Sequence, residues 1–182
     1  MPIAKSTATA QTVSLGNAEK DLLGITPLPV DNRQRYLRFM LSAKQEALIP
    51  LSNILEVIQL SFEDILPIPA MPSCVLGVCG WQSETLWLVD LNSLLGDTPF
   101  LQQAQSTAAS PTVIVIQTQQ KSLGLVVADV SDIDLFDPSQ IRMERGICPP
   151  SLEPYVLGYC PEYAGTVLDV SKIVCSPLLQ SH

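Results

Sequence analysis

The chain has 182 residues, 47% of them hydrophobic and only 15% charged, with a formal net charge of −8. All ten Lys and Arg lie outside residues 45–120, an interval that holds seven acids, so no basic stripe is present to grip nucleic acid or an anionic membrane surface. The apolar runs are too short to span a bilayer, so no direct membrane insertion is expected, and the excess hydrophobicity is assigned to a core and to apolar docking surfaces.

Residues 1–33 are rich in Ala, Thr, Ser and Gly and have the composition of a flexible N-terminal tail, with a marginal helical turn at AEKDLLG. The opening MPIAKSTATAQTVSLG lacks the apolar centre of a secretory signal, which points to the cytoplasm. YLRFMLS and ALIPL then read as two strands joined by the polar turn AKQE. Arg33, Arg35 and Arg38, at near-alternating positions, read as the solvated side of the first of them. ILEVIQL is again strand-like. SFEDILPIPAMP, with three prolines, reads as an extended connection.

VLGVCGW and TLWLVDL follow as strands around the turn QSE, and LNSLLGDTPF as one short helix with Gly96 at its C′ position. A polar loop covers 102–111. TVIVIQT, SLGLVVADV and DIDLF are three further strands, and after the Pro-rich ICPPSLEP come YVLGYC and GTVLDV. Roughly ten short strands with few short helices predict an all-β fold, barrels or a sandwich. Residues 177–182 are set apart as a C-terminal tail.

The chain also repeats itself. Val75-Leu76-Gly77 recurs at 156–158, Leu88-Val89-Asp90-Leu91 at 167–170 as VLDV, and LIPLSNILEVIQL from Leu48 aligns with LGLVVADVSDIDL from Leu123. Three collinear matches at similar offsets predict two pseudo-repeated five-stranded β-barrel subdomains. Asp90 and its counterpart Asp169 each end an apolar strand ahead of a short segment, and both are read as helix caps.

The five cysteines, Cys74, Cys79, Cys148, Cys160 and Cys175, are irregularly spaced with no CxxC pair. They suggest reduced thiols rather than a disulfide framework or a zinc cluster. The single histidine is His182, so no Ser-His-Asp triad, Cys-His pair or histidine-ligated metal can be built within one chain. No phosphate-binding or dinucleotide motif is present. No cofactor and no metal are expected, and paired carboxylates are the one catalytic device left open. Cys79 reads as a small buried hydrophobe or a reactive thiol. Trp81 and Trp87 are placed near each other on a hairpin, for core packing or for docking. Asp129, Asp132, Asp134 and Asp137 lack an EF-hand's glycine and terminal glutamate and read as an acidic surface.

The ordered series YLRFML, ALIPLSNILEVIQL, PIPAMPSCVLGV, LWLVDLNSLLG, VIVIQ, LGLVVADVSDI and YVLGYC…GTVLDVSKIV resembles the chemotaxis coupling protein family, the CheW-like domains, over residues 34–176. The resemblance implies two intertwined five-stranded β-barrels flanking a hydrophobic core, and no enzymatic activity. It further implies a scaffold that couples a chemoreceptor's cytoplasmic tip to the regulatory domain of a chemotaxis-type histidine kinase. Under the same resemblance Ile54, Glu56 and Val57 fall on a family segment associated with partner contacts, and Gly77 matches the glycine of the stretch G-V-x-N-L-R-G. Here Cys79-Gly80-Trp81-Gln82-Ser83 follows, so Gln82 stands where the family has a partner-binding arginine and Ser83 where it has glycine. That departure makes Trp81, Gln82 and Ser83 the candidate specificity turn. It opens a second role, a divergent module that sequesters or competes for the kinase or another signalling partner without coupling a receptor.

Overall fold

The computed structural model describes residues 31–42, 45–100, 102, 110–117, 122–143, 146 and 148–180. The helical turn anticipated at AEKDLLG and most of the loop 102–111 lie outside the described residues. Residues 32–182 form one compact unit. Its strands are β1 (Gln34–Ser42), β2 (Gln45–Pro50), β3 (Ile54–Gln59), β4 (Val75–Trp81) and β5 (Glu84–Asp90), then β6 (Thr112–Gln117), β7 (Ser122–Val127), β8 (Asp129–Phe136), β9 (Val156–Cys160) and β10 (Gly165–Leu168). The described helices are single turns, α1 (Leu91–Leu94), α2 (Val170–Val174) and α3 (Pro177–Gln180).

The strands make two five-stranded sheets, ordered β8-β1-β2-β10-β9 and β3-β6-β7-β5-β4. Both are mixed: β2 runs parallel to β10, β5 parallel to β7, and the other ladders are antiparallel. Adding five to each strand number of the first order, counting round from ten, reproduces the second. Each half of the chain thus places its first two strands beside the last three strands of the other half.

The closed barrels expected from sequence are corrected to open sheets, because among the described residues no ladder joins β3 to β4 or β8 to β9. Among the described residues one isolated bridge instead pairs the connection after β3 with β4, and another pairs the connection after β8 with β9. Leu66 exchanges two backbone bonds with Val78, at 2.8 and 2.9 Å, and Arg142 does the same with Tyr159. Proline explains why pairing stops there. Pro67, Pro69 and Pro72 lack the N–H a ladder needs, and Pro138, Pro149 and Pro150 interrupt the equivalent connection.

Alternation along the strands divides the apolar residues among three cores. Leu37, Phe39 and Leu41 of β1 and Ile114 and Ile116 of β6 face a central core between the sheets. Val113 and Val115 of β6 turn the other way, onto Cys79, Leu86 and Leu88. Tyr36, Leu48, Phe136, Cys160 and Val167 fill the corresponding space of the first sheet. β6 is buried on both faces, which is why TVIVIQ reads as an unbroken β-branched run rather than an alternation. Residues 177–182, set apart as a tail, begin with α3, whose Leu179 packs against the central core.

Two surface expectations are also corrected. Arg38 is not simply solvated: its guanidinium lies 3.1 Å from Asp134 and 3.7 and 3.8 Å from Glu46 and Asp132. Asp134 is buried at 8% exposure rather than part of an acidic surface. The register places Asp134 across from Tyr36 on β1, so its side chain turns inward with Phe136. Loss of hydration pushes its carboxyl above the ordinary range, although Arg38 pulls it back.

Candidate partner-docking site

The site is built on an edge strand and a hairpin. β3 borders its sheet and, among the described residues, pairs with β6 alone, and an edge strand offers unpaired backbone as well as side chains to a partner. Ile54 is half-buried against the central core, whereas Glu56 and Val57 are exposed. A register shift between Ile54 and Glu56 inserts Leu55 as an extra residue and turns it outward at 47% exposure. The chain leaving β3 exposes two further apolar side chains, Phe62 and Leu66, the latter at 64%. Ser61 N donates to Asp64 Oδ2 at 3.1 Å and starts a short 3-10 turn over Phe62–Asp64 within the connection read as extended.

The hairpin reaches the same strand. β4 and β5 pair from Val75↔Val89 to Trp81↔Glu84, so the turn is the two residues Gln82 and Ser83. Both have left-handed φ, 45° and 67°, the arrangement a two-residue hairpin needs to match strand twist. Glu84 belongs to the strand, one residue earlier than the QSE reading placed it. From this turn Trp81 Nε1 donates to Glu56 Oε2 at 2.9 Å, and Gln82 Nε2 donates to the same oxygen at 3.4 Å. The two edges of the sheet are therefore tied by side chains where no backbone ladder joins them.

Gly77 stands apart from this surface because it is buried. Its φ is 141°, and an added Cβ would sit 2.2 Å from the carbonyl oxygen of Leu66. Only glycine lets the Leu66–Val78 bridge close. Gly158 occupies the same place beside the Arg142–Tyr159 bridge, with an added Cβ 2.8 Å from Arg142 O.

The tryptophans are not neighbours, a second correction to the hairpin. Trp81 turns with Cys79 toward the core inside its sheet. Trp87, across from Val78, turns to the opposite face. There it lines an apolar groove of about 430 Å³ with Met71, Val75, Val89, Leu123 and Val174. The register that separates the two rings depends on the turn being two residues long, which the sequence does not announce.

Asp90 and Asp169 each occupy the N-cap position of a short helix. Asp90 Oδ1 accepts from Ser93 N at 3.1 Å ahead of α1, and Asp169 Oδ1 from Lys172 N at 3.2 Å ahead of α2. Their own amides donate to Cys74 O and Tyr155 O, each at 2.8 Å. Asp90 is fully buried and also accepts from Phe100 N at 2.6 Å. Asp169 instead lies 3.6 Å from the ammonium of Lys172. Asp137 Oδ1 accepts from Ser139 N at 2.8 Å in a further short turn.

Cys79 is buried, and desolvation pushes its thiol up, with Asp64 adding to the effect. Such an environment disfavours the thiolate that redox or nucleophilic chemistry requires. Among the described residues no group of three His, Cys, Asp or Glu could hold a metal ion, and no described helix is long and apolar enough to cross a membrane.

Sequence reasoning missed Leu55, Phe62 and Leu66, which the structure leaves exposed. An apolar residue next to Glu56 on an edge strand was the available signal for Leu55. The others depend on tertiary placement.

Comparison with known proteins bears on the same span. The family model for the CheW-like domain matches residues 35–177. Among solved structures, the scaffolding protein TtCheW from Thermoanaerobacter tengcongensis is similar in fold, with a TM-score of 0.60 at 15% identity, over 74% of this chain and 86% of that one. No curated protein matches the chain in sequence.

Proposed function

The chain belongs to the CheW-like domain family, and from that membership we propose that it is a non-enzymatic cytoplasmic scaffold of motility signalling. It couples a chemoreceptor's cytoplasmic tip to the regulatory domain of a chemotaxis-type histidine kinase. The observation that carries the reading is the exposed apolar strip of β3, Leu55 and Val57, held beside the hairpin by the Trp81–Glu56 bond. Apolar side chains on a sheet edge lose contact with water only when a partner covers them, and the tied hairpin presents them without a large ordering cost. The kinase's regulatory domain is the partner assigned to this strip. Gly77 supports it from beneath by fixing the β3–β4 connection.

The matching strand orders of the two sheets support a duplicated ancestry for the halves. A second role is favoured by one residue. With Gln82 the turn offers a neutral carboxamide where the family has a guanidinium, removing a charged bidentate donor. In that reading the chain occupies the kinase without recruiting a receptor.

Titration calorimetry of the full chain against the regulatory domain tests the first reading. Val57→Asp is expected to weaken binding by about tenfold or more, since a charge would be buried without a partner. Undiminished binding by that variant, or no binding by the native chain, overturns it. Gln82→Arg separates the roles: gain of receptor-tip binding absent from the native chain supports the competitor, and receptor binding already present in the native chain supports the coupler.

A further inference from the structure

Charge on the second sheet has one sign. Its strands β3 to β7 carry no Lys or Arg, whereas β1 of the first sheet carries Arg35 and Arg38. Acids gather instead where β3 meets the β4–β5 hairpin. Glu56 lies on the edge strand between the exposed Leu55 and Val57 and accepts from the Trp81 indole. Glu84 stands directly across from Trp81 in the hairpin register, so these two side chains share a face. Asp64 is close enough to act on the thiol of Cys79, which packs with Trp81 on that face. All three acids are exposed.

Among the described residues no cation balances them. The ion pairs of Arg38 and Lys172 lie on the first sheet and at α2, and none reaches Glu56, Asp64 or Glu84. The Glu56 carboxylate is nonetheless held in place, because Trp81 Nε1 and Gln82 Nε2 both donate to its Oε2. Two neutral donors orient the group without neutralising it, and they leave Oε1 with acceptor capacity.

A structural role for Glu56 would be that of a guard, since a charge on an edge strand deters pairing with another copy. That role covers repulsion alone. On β8, the edge of the first sheet, Asp129 and Asp132 stand exposed beside Ile133 and Leu135, and Arg38 is outnumbered there by Glu46, Asp132 and Asp134. A second copy therefore brings like charge to β3 whether it offers β3 or β8. A strand bearing cations meets no such penalty, and the carboxylate that repels copies selects it.

The pleat sets the pattern such a strand must carry. Glu56 is across from Val115, which faces the core inside the sheet, and Val57 is across from Ile114, which faces the central core. Successive side chains of an added strand also face opposite sides, so its basic residues fall with Glu56 and its apolar residues with Val57.

We propose that the β3 edge takes, as an added strand, a partner segment in which Lys or Arg alternates with branched apolar residues. One cation of that segment meets Glu56 beside Trp81. The inference rests on β3 being the docking strip and names the chemistry of the partner that covers it.

The test titrates the isotope-labelled full chain with three synthetic peptides, acetyl-Arg-Val-Arg-Val-Arg-Val-amide and its Gln-Val and Glu-Val counterparts, followed by backbone amide and indole resonances. The basic peptide is expected to give saturable shifts at Glu56, Val57 and the Trp81 indole. The neutral peptide should bind roughly fivefold or more weakly, and the acidic peptide not at all. Glu56→Gln keeps an acceptor for Trp81 and should reduce the preference for the basic peptide. Absence of saturable shifts with the basic peptide overturns the proposal, as does equal binding of all three. So do an unchanged preference in Glu56→Gln, shifts spread equally over Asp129 and Asp132, and concentration-dependent self-association through β3. If Glu56→Gln does not fold, the three-peptide comparison on the native chain still decides. The kinase's regulatory domain is titrated separately: peptide binding as described without regulatory-domain binding removes the coupling role and leaves this inference standing, whereas regulatory-domain binding with no peptide preference does the reverse.

Discussion

Adding a single methyl group at three glycines separates backbone necessity from mere space. Gly77→Ala places a Cβ 2.2 Å from Leu66 O and 2.9 Å from Pro67 Cα, at a φ of 141° that L residues rarely adopt. The strained conformation costs about 1–3 kcal/mol. Losing the two bonds of the Leu66–Val78 bridge costs about 0.5–1.5 kcal/mol each. The expected loss is about 2–6 kcal/mol, a large share of the roughly 5–15 kcal/mol a domain has. For a chain of this size it lowers Tm by roughly 4–24 °C. Gly158→Ala meets Ile141 Cγ2 at 2.5 Å and Arg142 O at 2.8 Å without a left-handed φ. Its cost is expected to be smaller, about 1–3 kcal/mol. Gly80→Ala meets nothing within 4 Å and should change stability by less than about 0.5 kcal/mol. Urea unfolding of the three variants, read at the midpoint with unchanged slope, gives the order directly. If Gly80→Ala cost as much as Gly77→Ala, the close approach would not be what fixes glycine there.

The two caps should differ. Asp90→Ala leaves Ser93 N and the buried Phe100 N without their acceptor and is expected to cost about 2–5 kcal/mol. Asp169→Ala removes one cap bond and a partly exposed ion pair and should cost about 1 kcal/mol in the same unfolding assay. Ser83→Gly should stabilise by about 0.5–1 kcal/mol, because glycine adopts the φ of 67° without strain; a loss of Tm would contradict the turn geometry. The raised carboxyl of Asp134 means that the folded state holds its proton more tightly than the unfolded chain. The associated stability is present at acid pH and is lost as pH rises through the folded value. Asp134→Asn should therefore flatten that part of the stability–pH curve. An unchanged curve would show that burial does not govern this carboxyl. Finally, Cys175 is exposed, Cys148 half-buried, and Cys74, Cys79 and Cys160 buried. A chromogenic disulfide should label Cys175 first, mapped by mass spectrometry, and rapid labelling of Cys79 in the native state would refute its inert placement.

What was legible in the sequence was local. TVIVIQ announces a strand, and Asp90 and Asp169, each closing an apolar run, announce where a strand ends before any topology is known. What escaped depends on partners far along the chain. Asp134 looks solvated within DIDLF because Arg38, which draws it inward, lies on a strand nearly a hundred residues earlier. The Trp81–Glu56 bond joins opposite edges of one sheet, and nothing in either segment reports the other. The faces of Trp81 and Trp87 follow from a turn of two residues rather than three. Closed barrels were the natural expectation for ten short strands; the prolines of both long connections carried the opposing signal.

The central claim is that this chain bridges two partners. The most direct measurement is co-sedimentation of the kinase with receptor-bearing membranes, with and without the full chain. The coupling account predicts that kinase pellets with receptor only when the chain is added, and that Val57→Asp abolishes the effect. Kinase left in the supernatant despite its binding to the chain would contradict coupling.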